Sequence, residues 1–141
     1  MLLLIGNGEL KNDIIDKIKK LELDNNVFLL GIKESVSDYL MAMDKFIFPS
    51  LFEGMPNVII EAQASGLPCY ASSAITKEAN ITGLVKYIDL DRSSDEWADI
   101  ILDDKLFPRK DYKKHFIDNN YDIFKISKTF IEKCFNEVID E

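Results

Sequence analysis

Glu53 and Glu61 stand on either side of the stretch Gly54-Met55-Pro56-Asn57-Val58-Ile59-Ile60, and proline fixes where that stretch can turn helical. Pro56 fits a helix only in its first turn, where its missing N–H has no partner anyway, so a helix is predicted to begin near Met55 or Pro56. The N–H groups of Asn57, Val58 and Ile59 then point out of the helix start. With the positive end of the macrodipole they suit an anion such as a diphosphate, and no metal is required for that. Glu61 falls about 7 to 8 Å farther along the axis, on the face it shares with Asn57 and Ser65. Its neighbours Ile59, Ile60, Ala62 and Ala64 predict a helix packed on most sides, so the carboxylate needs hydrogen-bond donors. Vicinal hydroxyls of a ribose or a hexose supply them. Glu53, in the loop before the helix, falls on the other side of the anion hole. A diphosphate between two polyols, which is a nucleotide sugar, fits this order. A purely structural arrangement fits the same spacing: Glu53 as an acid stabilised by the helix dipole, and Glu61 paired with a lysine or arginine. Spacing alone does not choose between them.

The elements that must position these residues are short apolar runs alternating with helical patterns. Strands are predicted at Met1 to Ile5, Val27 to Leu30, Phe46 to Phe48, Cys69 to Ala71 and Val85 to Leu90. Helices are predicted at Glu9 to Leu23, Ser37 to Met43, Glu96 to Leu102, Arg109 to Asn119 and Ile123 to Ile139, the last carrying Phe124, Ile131, Phe135 and Val138 on an apolar face. Gly66-Leu67-Pro68 ends the glutamate helix. The fold class is therefore α/β, a Rossmann-like parallel sheet with helices on both faces, formed by one domain spanning residues 1–141. In such sheets ligands collect at the carboxyl ends of the strands, and the glutamate segment follows the third of them.

Composition narrows the partners. The 141 residues carry a formal charge of −8, with lysines scattered among acids, which argues against nucleic acid. No apolar run approaches the roughly 20 residues of a membrane span, and the opening Met-Leu-Leu-Leu-Ile lacks the basic segment of a secretory signal. A cytoplasmic protein keeps Cys69 and Cys134 reduced, and both read as packing residues. Gly6-x-Gly8 lacks the third glycine of a dinucleotide fingerprint, with Lys11 in its place and no acid closing the second strand at Leu30, so neither a nicotinamide nor a flavin is implied. His115 reads as a surface residue in a polar helix, and Trp97 as a core or interdomain anchor.

The segment PSLFEGMPNVIIEAQASGLP, preceded by LLIGNGELKNDI and NNVFLLGIKESVSDYLMAMDKFIFPS, resembles the nucleotide-sugar-binding half of retaining glycosyltransferases of family 4, which have the GT-B fold. The match runs through about residues 2 to 100. The stretch SSAITKEANITGLVKYIDLD with the following WADIIL is similar to the bacterial branch that builds exopolysaccharide, capsule or O-antigen repeats. The resemblance implies that Glu53 contacts hydroxyls of the donor hexose and is the catalytic-site carboxylate, with Gly54 and Met55 lining the same pocket. It gives the ribose hydroxyls to Glu61, the diphosphate to the N–H groups of Asn57 and Val58, and the nucleobase edge to the loop around Ile32 and Lys33. Gly6 and Gly8 let the first loop come close to the cleft. Family enzymes retain the anomeric configuration, need no cofactor and no obligatory metal, and are placed in the cytoplasm, at times peripherally on the inner membrane face. Their electrostatic task is to stabilise a departing diphosphate, which a helix start performs without reorganisation.

Departures from the family pattern carry expectations of their own. Relatives place an Arg and a Lys ahead of LLLIGNG as clamps on the diphosphate, and bind a glycan or lipid-linked acceptor through an amino-terminal domain; neither is in this sequence. The chain is then one half of a GT-B fold with its first strand-helix unit missing, and inactive in transfer by itself. Either Met1 to Ile5 and Phe46 to Phe48 close up directly, or another chain fills the gap, with self-association through an unpaired strand or the last helix as a consequence. Ser72, Ser73 and Thr76 stand where relatives have a glycine-rich turn, and Lys77 and Glu78 beside them read as solvated charges. A non-catalytic interaction module is the competing class; in that case both glutamates are dispensable for ligand affinity.

Overall fold

Apolar runs too short for helices become parallel strands in the computed structural model, which describes residues 1–105 and 108–136. The chain divides into two compact units, one formed by Met1–Tyr39 and the other beginning at Leu40. In the first, β1 (Leu2–Ile5) and β2 (Val27–Gly31) pair in parallel, Leu2 opposite Val27 and Leu4 opposite Leu29, joined through α1 (Lys11–Lys20). Helix α2 (Val36–Ala42) begins in this unit and ends in the next. The second unit holds β3 (Phe46–Phe48), α3 (Asn57–Ala64), β4 (Cys69–Ser72), β5 (Val85–Ile88), α4 (Ser94–Asp103), α5 (Lys113–Asp118) and α6 (Ile123–Asn136). Its three strands form a parallel sheet in the order β3-β4-β5. Parallel sheets flanked by helices bear out the α/β, Rossmann-like reading. Within the first unit β1 pairs with β2, and within the second β3 pairs with β4.

β4 is buried along its whole length, as a central parallel strand covered on both faces must be. Tyr70 packs there with Ile88, Trp97 and Ile101, and the Trp97 indole N–H donates to the Asp89 carbonyl at 3.0 Å. Trp97 is thus a core residue of its own unit. The Tyr70 hydroxyl donates to Asp104 Oδ2 at 2.9 Å, and burial followed by this carboxylate pushes its pKa up. Burial likewise pushes the Cys69 thiol up to about 12, so Cys69 is the packing residue the sequence implied. Cys134 is not: it is exposed on α6, whose apolar side is uncovered at Phe124, Phe130 and Phe135. Val138 and Ile139, predicted as the end of that helix, lie outside the described residues.

The helix ends show which local rules decide. α3 stops in a Schellman motif, with Gly66 N–H donating to the Gln63 carbonyl at 2.9 Å and Leu67 N–H to the Ala62 carbonyl at 3.0 Å. Gly66 holds φ at +68°, and a Cβ there would sit 3.2 Å from the Lys110 carbonyl oxygen. α1 stops in the same motif three residues before the predicted Leu23, with Glu22 N–H on the Lys19 carbonyl and Leu23 N–H on that of Ile18, but the left-handed residue is Glu22 at φ +54°. Left-handed backbone costs a residue with a Cβ about 1 to 2 kcal/mol. In urea denaturation, Gly66→Ala is therefore expected to destabilise the protein by at least about 1 kcal/mol, and Glu22→Gly to stabilise it by up to about 1 kcal/mol.

α5 begins at Lys113 rather than at the predicted Arg109. Residues 108–112 are drawn out of the helix because Asp111 Oδ1 accepts the Lys113 N–H at 2.8 Å, a local bond that competes with helix formation. Arg109 instead donates to the Ser65 carbonyl at 3.0 Å, to that of Leu40 at 3.1 Å and to that of Met43, satisfying orphan carbonyls at the ends of α2 and α3.

α4 opens in a capping box. Ser93 Oγ accepts the Glu96 N–H at 3.2 Å while Glu96 Oε2 accepts the Ser93 N–H at 2.9 Å. The Ser93 N–H and then its hydroxyl, with Arg92 adding attraction, hold the exposed Glu96 carboxyl below the usual carboxylate range. A pKa lowered on folding contributes stability above the unfolded value, which is lost as pH falls through the folded one. Carboxyl-detected NMR titration is expected to show Glu96 titrating below an unperturbed glutamate, and Ser93→Ala to move it upward.

Candidate functional site

Asn57 opens α3 because Pro56, at φ −78° and ψ 92°, serves as its N-cap, so the helix starts one residue after the predicted Pro56, which stands just outside it. The first intrahelical bonds run from Ile59 N–H at 3.0 Å and Ile60 N–H at 3.4 Å, both to the Pro56 carbonyl. No side chain caps this end. The Asn57 and Val58 N–H groups, lying before those first bonds, have no intrahelical acceptor and remain available to an acceptor from outside.

One expectation about Glu61 is overturned. The apolar neighbours predicted a carboxylate enclosed on most sides, yet Glu61 is exposed. At 100° per residue the buried positions Ile59, Ala62 and Gln63 gather on one face. Asn57, Glu61 and Ala64, spaced i, i+4 and i+7, form an exposed stripe on the other. The hydrogen-bond donors that burial was to demand are therefore not needed for stability. Within the described part of the second unit, neither Glu53 nor Glu61 forms an ion pair, so the paired lysine or arginine of the structural alternative is not found there.

Glu53 is half-buried in the loop between β3 and α3, with Gly54 and Met55 exposed beside it. Its Oε1 accepts the Ser50 hydroxyl at 3.1 Å. The one sign of this bond in the sequence is the Ser-x-x-Glu spacing of Ser50 and Glu53. The Tyr121 hydroxyl reaches Met55 Sδ at 4.0 Å, placing the turn between α5 and α6 beside this loop, and spacing gave no sign of it.

Gly6, Gly8, Ile32 and Lys33 belong to the first unit. The Gly6 N–H donates to the Gly31 carbonyl at 2.9 Å, which ties the loop following β1 to the end of β2. Ile32 is 77% exposed. Lys33 Nζ sits 6.0 Å from the Tyr39 ring centroid.

Around the sheet end of the second unit, Ser72 is fully buried and accepts the Ala74 N–H at 3.0 Å. Thr76 caps a short 3-10 turn, Lys77–Ala79. Lys77 is not merely solvated: its Nζ lies 3.4 Å from the Tyr87 ring centroid and donates to the Ser73 carbonyl at 3.3 Å. Two depressions, of about 370 and 290 Å³, lie beside α5 and against residues 108–112. Neither is lined by residues of the stretch from Glu53 to Glu61. Among the described residues no helix is long and apolar enough to cross a membrane.

Residues 1–103 match the family described as Glycosyl transferases group 1. The chain is 39% identical over 101 residues to the Bacillus subtilis protein EpsF, covering 71% of this chain and 26% of that protein. It is 40% identical over 74 residues to the UDP-Gal:α-D-GlcNAc-diphosphoundecaprenol α-1,3-galactosyltransferase of Escherichia coli, covering 52% of this chain and 19% of the relative. It is also 34% identical over 80 residues to the amylovoran biosynthesis glycosyltransferase AmsD of Erwinia amylovora. The chain spans about a fifth to a quarter of the length of these curated relatives.

Proposed function

This chain belongs to the glycosyl transferases group 1 family, and from that premise we propose that it is the donor-binding domain of a retaining, family 4 glycosyltransferase with the GT-B fold. The donor is a nucleotide sugar, UDP-linked, and the group moved is a hexose or N-acetylhexosamine. The acceptor is a growing cell-surface polysaccharide or a lipid-linked repeat unit, engaged through a further domain on the cytoplasmic side of the membrane. Relatives named for amylovoran synthesis and for galactose transfer to a diphosphoundecaprenol-linked sugar support that direction.

The observation that carries the reading is the uncapped start of α3, with Glu53 before it and Glu61 after it in the chain and neither in an ion pair among the described residues. In this reading the Asn57 and Val58 N–H groups hold the diphosphate and stabilise the negative charge it gains as it leaves. Glu61 accepts from the ribose hydroxyls, and Glu53 from hydroxyls of the sugar. No cofactor or obligatory metal has a task in that division. Isothermal titration of the chain with UDP, GDP and their sugar conjugates, in EDTA, tests it. Binding of one nucleoside diphosphate that persists in EDTA is the expected result, and absence of binding to all of them overturns it.

The uncovered side of α6, with Phe124 82% and Phe130 63% exposed, favours a second reading as an interaction module. Replacing both glutamates separates the two: the module loses no ligand affinity, whereas the donor domain does.

A further inference from the structure

We propose that Ser50 is a positioning residue for Glu53, and that through it the loop between β3 and α3 is preset to recognise the sugar of a nucleotide sugar. The inference rests on the reading of Glu53 as the sugar-facing carboxylate. Its evidence is local geometry. β3 ends at Phe48, and Pro49, with no N–H to give, cannot donate to a continued ladder. Ser50 follows, half-buried, with its hydroxyl 3.1 Å from Glu53 Oε1 and 3.3 Å from the Phe52 carbonyl oxygen. A serine hydroxyl carries one proton, and the shorter contact is to a carboxylate, which makes the stronger, charge-assisted acceptor. Leu51 and Phe52, between them in sequence, are 81% and 82% exposed. Ser50 and Glu53 are the members of this four-residue turn that fold back toward each other.

Two consequences make this more than a loop contact. The Ser50 bond is the one hydrogen bond to the Glu53 side chain among the described residues, so one carboxylate oxygen is held and Oε2 stays free for an incoming hydroxyl. Glutamate also carries one of the larger side-chain entropies, and holding it before the ligand arrives lowers the ordering cost of binding. A sugar-binding carboxylate so held gains affinity from the sugar and none from the nucleoside diphosphate.

The experiment therefore measures how much the sugar adds: the ratio of Kd for UDP to Kd for UDP-glucose, UDP-galactose and UDP-N-acetylglucosamine, by titration of the full 141-residue chain. Ser50→Ala is expected to shrink that ratio by about five-fold with the affinity for UDP itself unchanged. Ser50→Thr, which keeps the hydroxyl, restores it, and Glu53→Gln shrinks it at least as much. If Glu53→Gln lowers the ratio and Ser50→Ala does not, the proposal fails while the sugar role of Glu53 stands. An equal loss for UDP and its sugar conjugates in Ser50→Ala also overturns it, because the serine then supports the loop as a whole. If Glu53→Gln leaves the ratio untouched, or no sugar conjugate binds better than UDP, the assignment of Glu53 falls and the proposal falls with it.

Discussion

Glu61→Ala is expected to weaken UDP binding by about 10- to 100-fold and to leave the unfolding midpoint unchanged. The first half follows from what a carboxylate gives two ribose hydroxyls: hydrogen bonds to a charged group contribute about 1.5 to 3 kcal/mol, which is that range of Kd. The second half follows from position, since Glu61 is exposed, has no ion pair among the described residues of its unit and lies opposite the buried Ile59, Ala62 and Gln63. Surface substitutions of that kind stay within about 0.5 kcal/mol. Paired titration calorimetry and thermal denaturation read both halves. Asn57→Ala is a useful companion, because the proposed diphosphate contact is main chain, and loss of the amide side chain should leave the affinity within about two-fold. Unchanged UDP binding in Glu61→Ala would remove the ribose from this helix. A large fall in midpoint would mean that the carboxylate is structural after all.

The exposure of Glu61 also shows where a sequence stops being legible. All five strands were readable within two residues, because four are short apolar runs ended by glycine, proline or a polar residue, as in Phe46-Ile47-Phe48 before Pro49, and the fifth, Val85–Ile88, is interrupted only by Lys86. The start of α3 was readable to within two residues because proline is excluded from a helix beyond its first turn, and Pro56 stands just ahead of it as the N-cap. Which side of α3 faces inward was not, because Ile59, Ile60, Ala62 and Ala64 surround the carboxylate almost evenly in sequence. The choice was made by Gln63, a polar residue drawn into the interior by partners 16 to 19 positions away. Nor could local pattern foresee that Asp111 would bond the Lys113 N–H, or that Arg109 would leave the predicted helix for carbonyls 44 to 69 positions back. The division into a two-stranded and a three-stranded sheet was left between two outcomes, since run lengths do not specify pairing. At the site, the order of carboxylate, helix start and carboxylate was in the sequence. The hydroxyl that holds Glu53 was there only as an unremarked serine three positions earlier.

Gln63 is where stability and site meet, and Gln63→Leu should be strongly destabilising. The side chain is fully buried and uses its whole amide. Nε2 donates to the Ala79 carbonyl at 2.6 Å and to the Ile59 carbonyl at 3.2 Å, while Oε1 accepts the Thr82 N–H at 3.1 Å and the Thr82 hydroxyl at 2.8 Å. Leucine keeps most of the volume and none of these bonds. The Ile59 carbonyl still has its helical partner, but Thr82 and Ala79 are left with unmatched groups at about 1 to 3 kcal/mol each. A total near 3 kcal/mol corresponds to a fall of about 10 °C in the unfolding midpoint of a chain this size. Thr82→Val leaves the other three bonds of Gln63 but removes a hydroxyl that donates to its Oε1 and accepts the Leu84 N–H at 3.3 Å, so it should cost about 1 to 2 kcal/mol. Below its lowered midpoint, Gln63→Leu should still bind UDP within a few-fold of the parent, because Asn57, Val58 and Glu61 are on the helix and not in the bonds that were cut. Thermal denaturation beside calorimetry decides it. A midpoint within 2 °C of the parent would show that the 79–82 loop relaxes to find other partners. Lost binding with an intact fold would show that the ligand depends on how tightly α3 is anchored to that loop, which makes this glutamine part of the site's support.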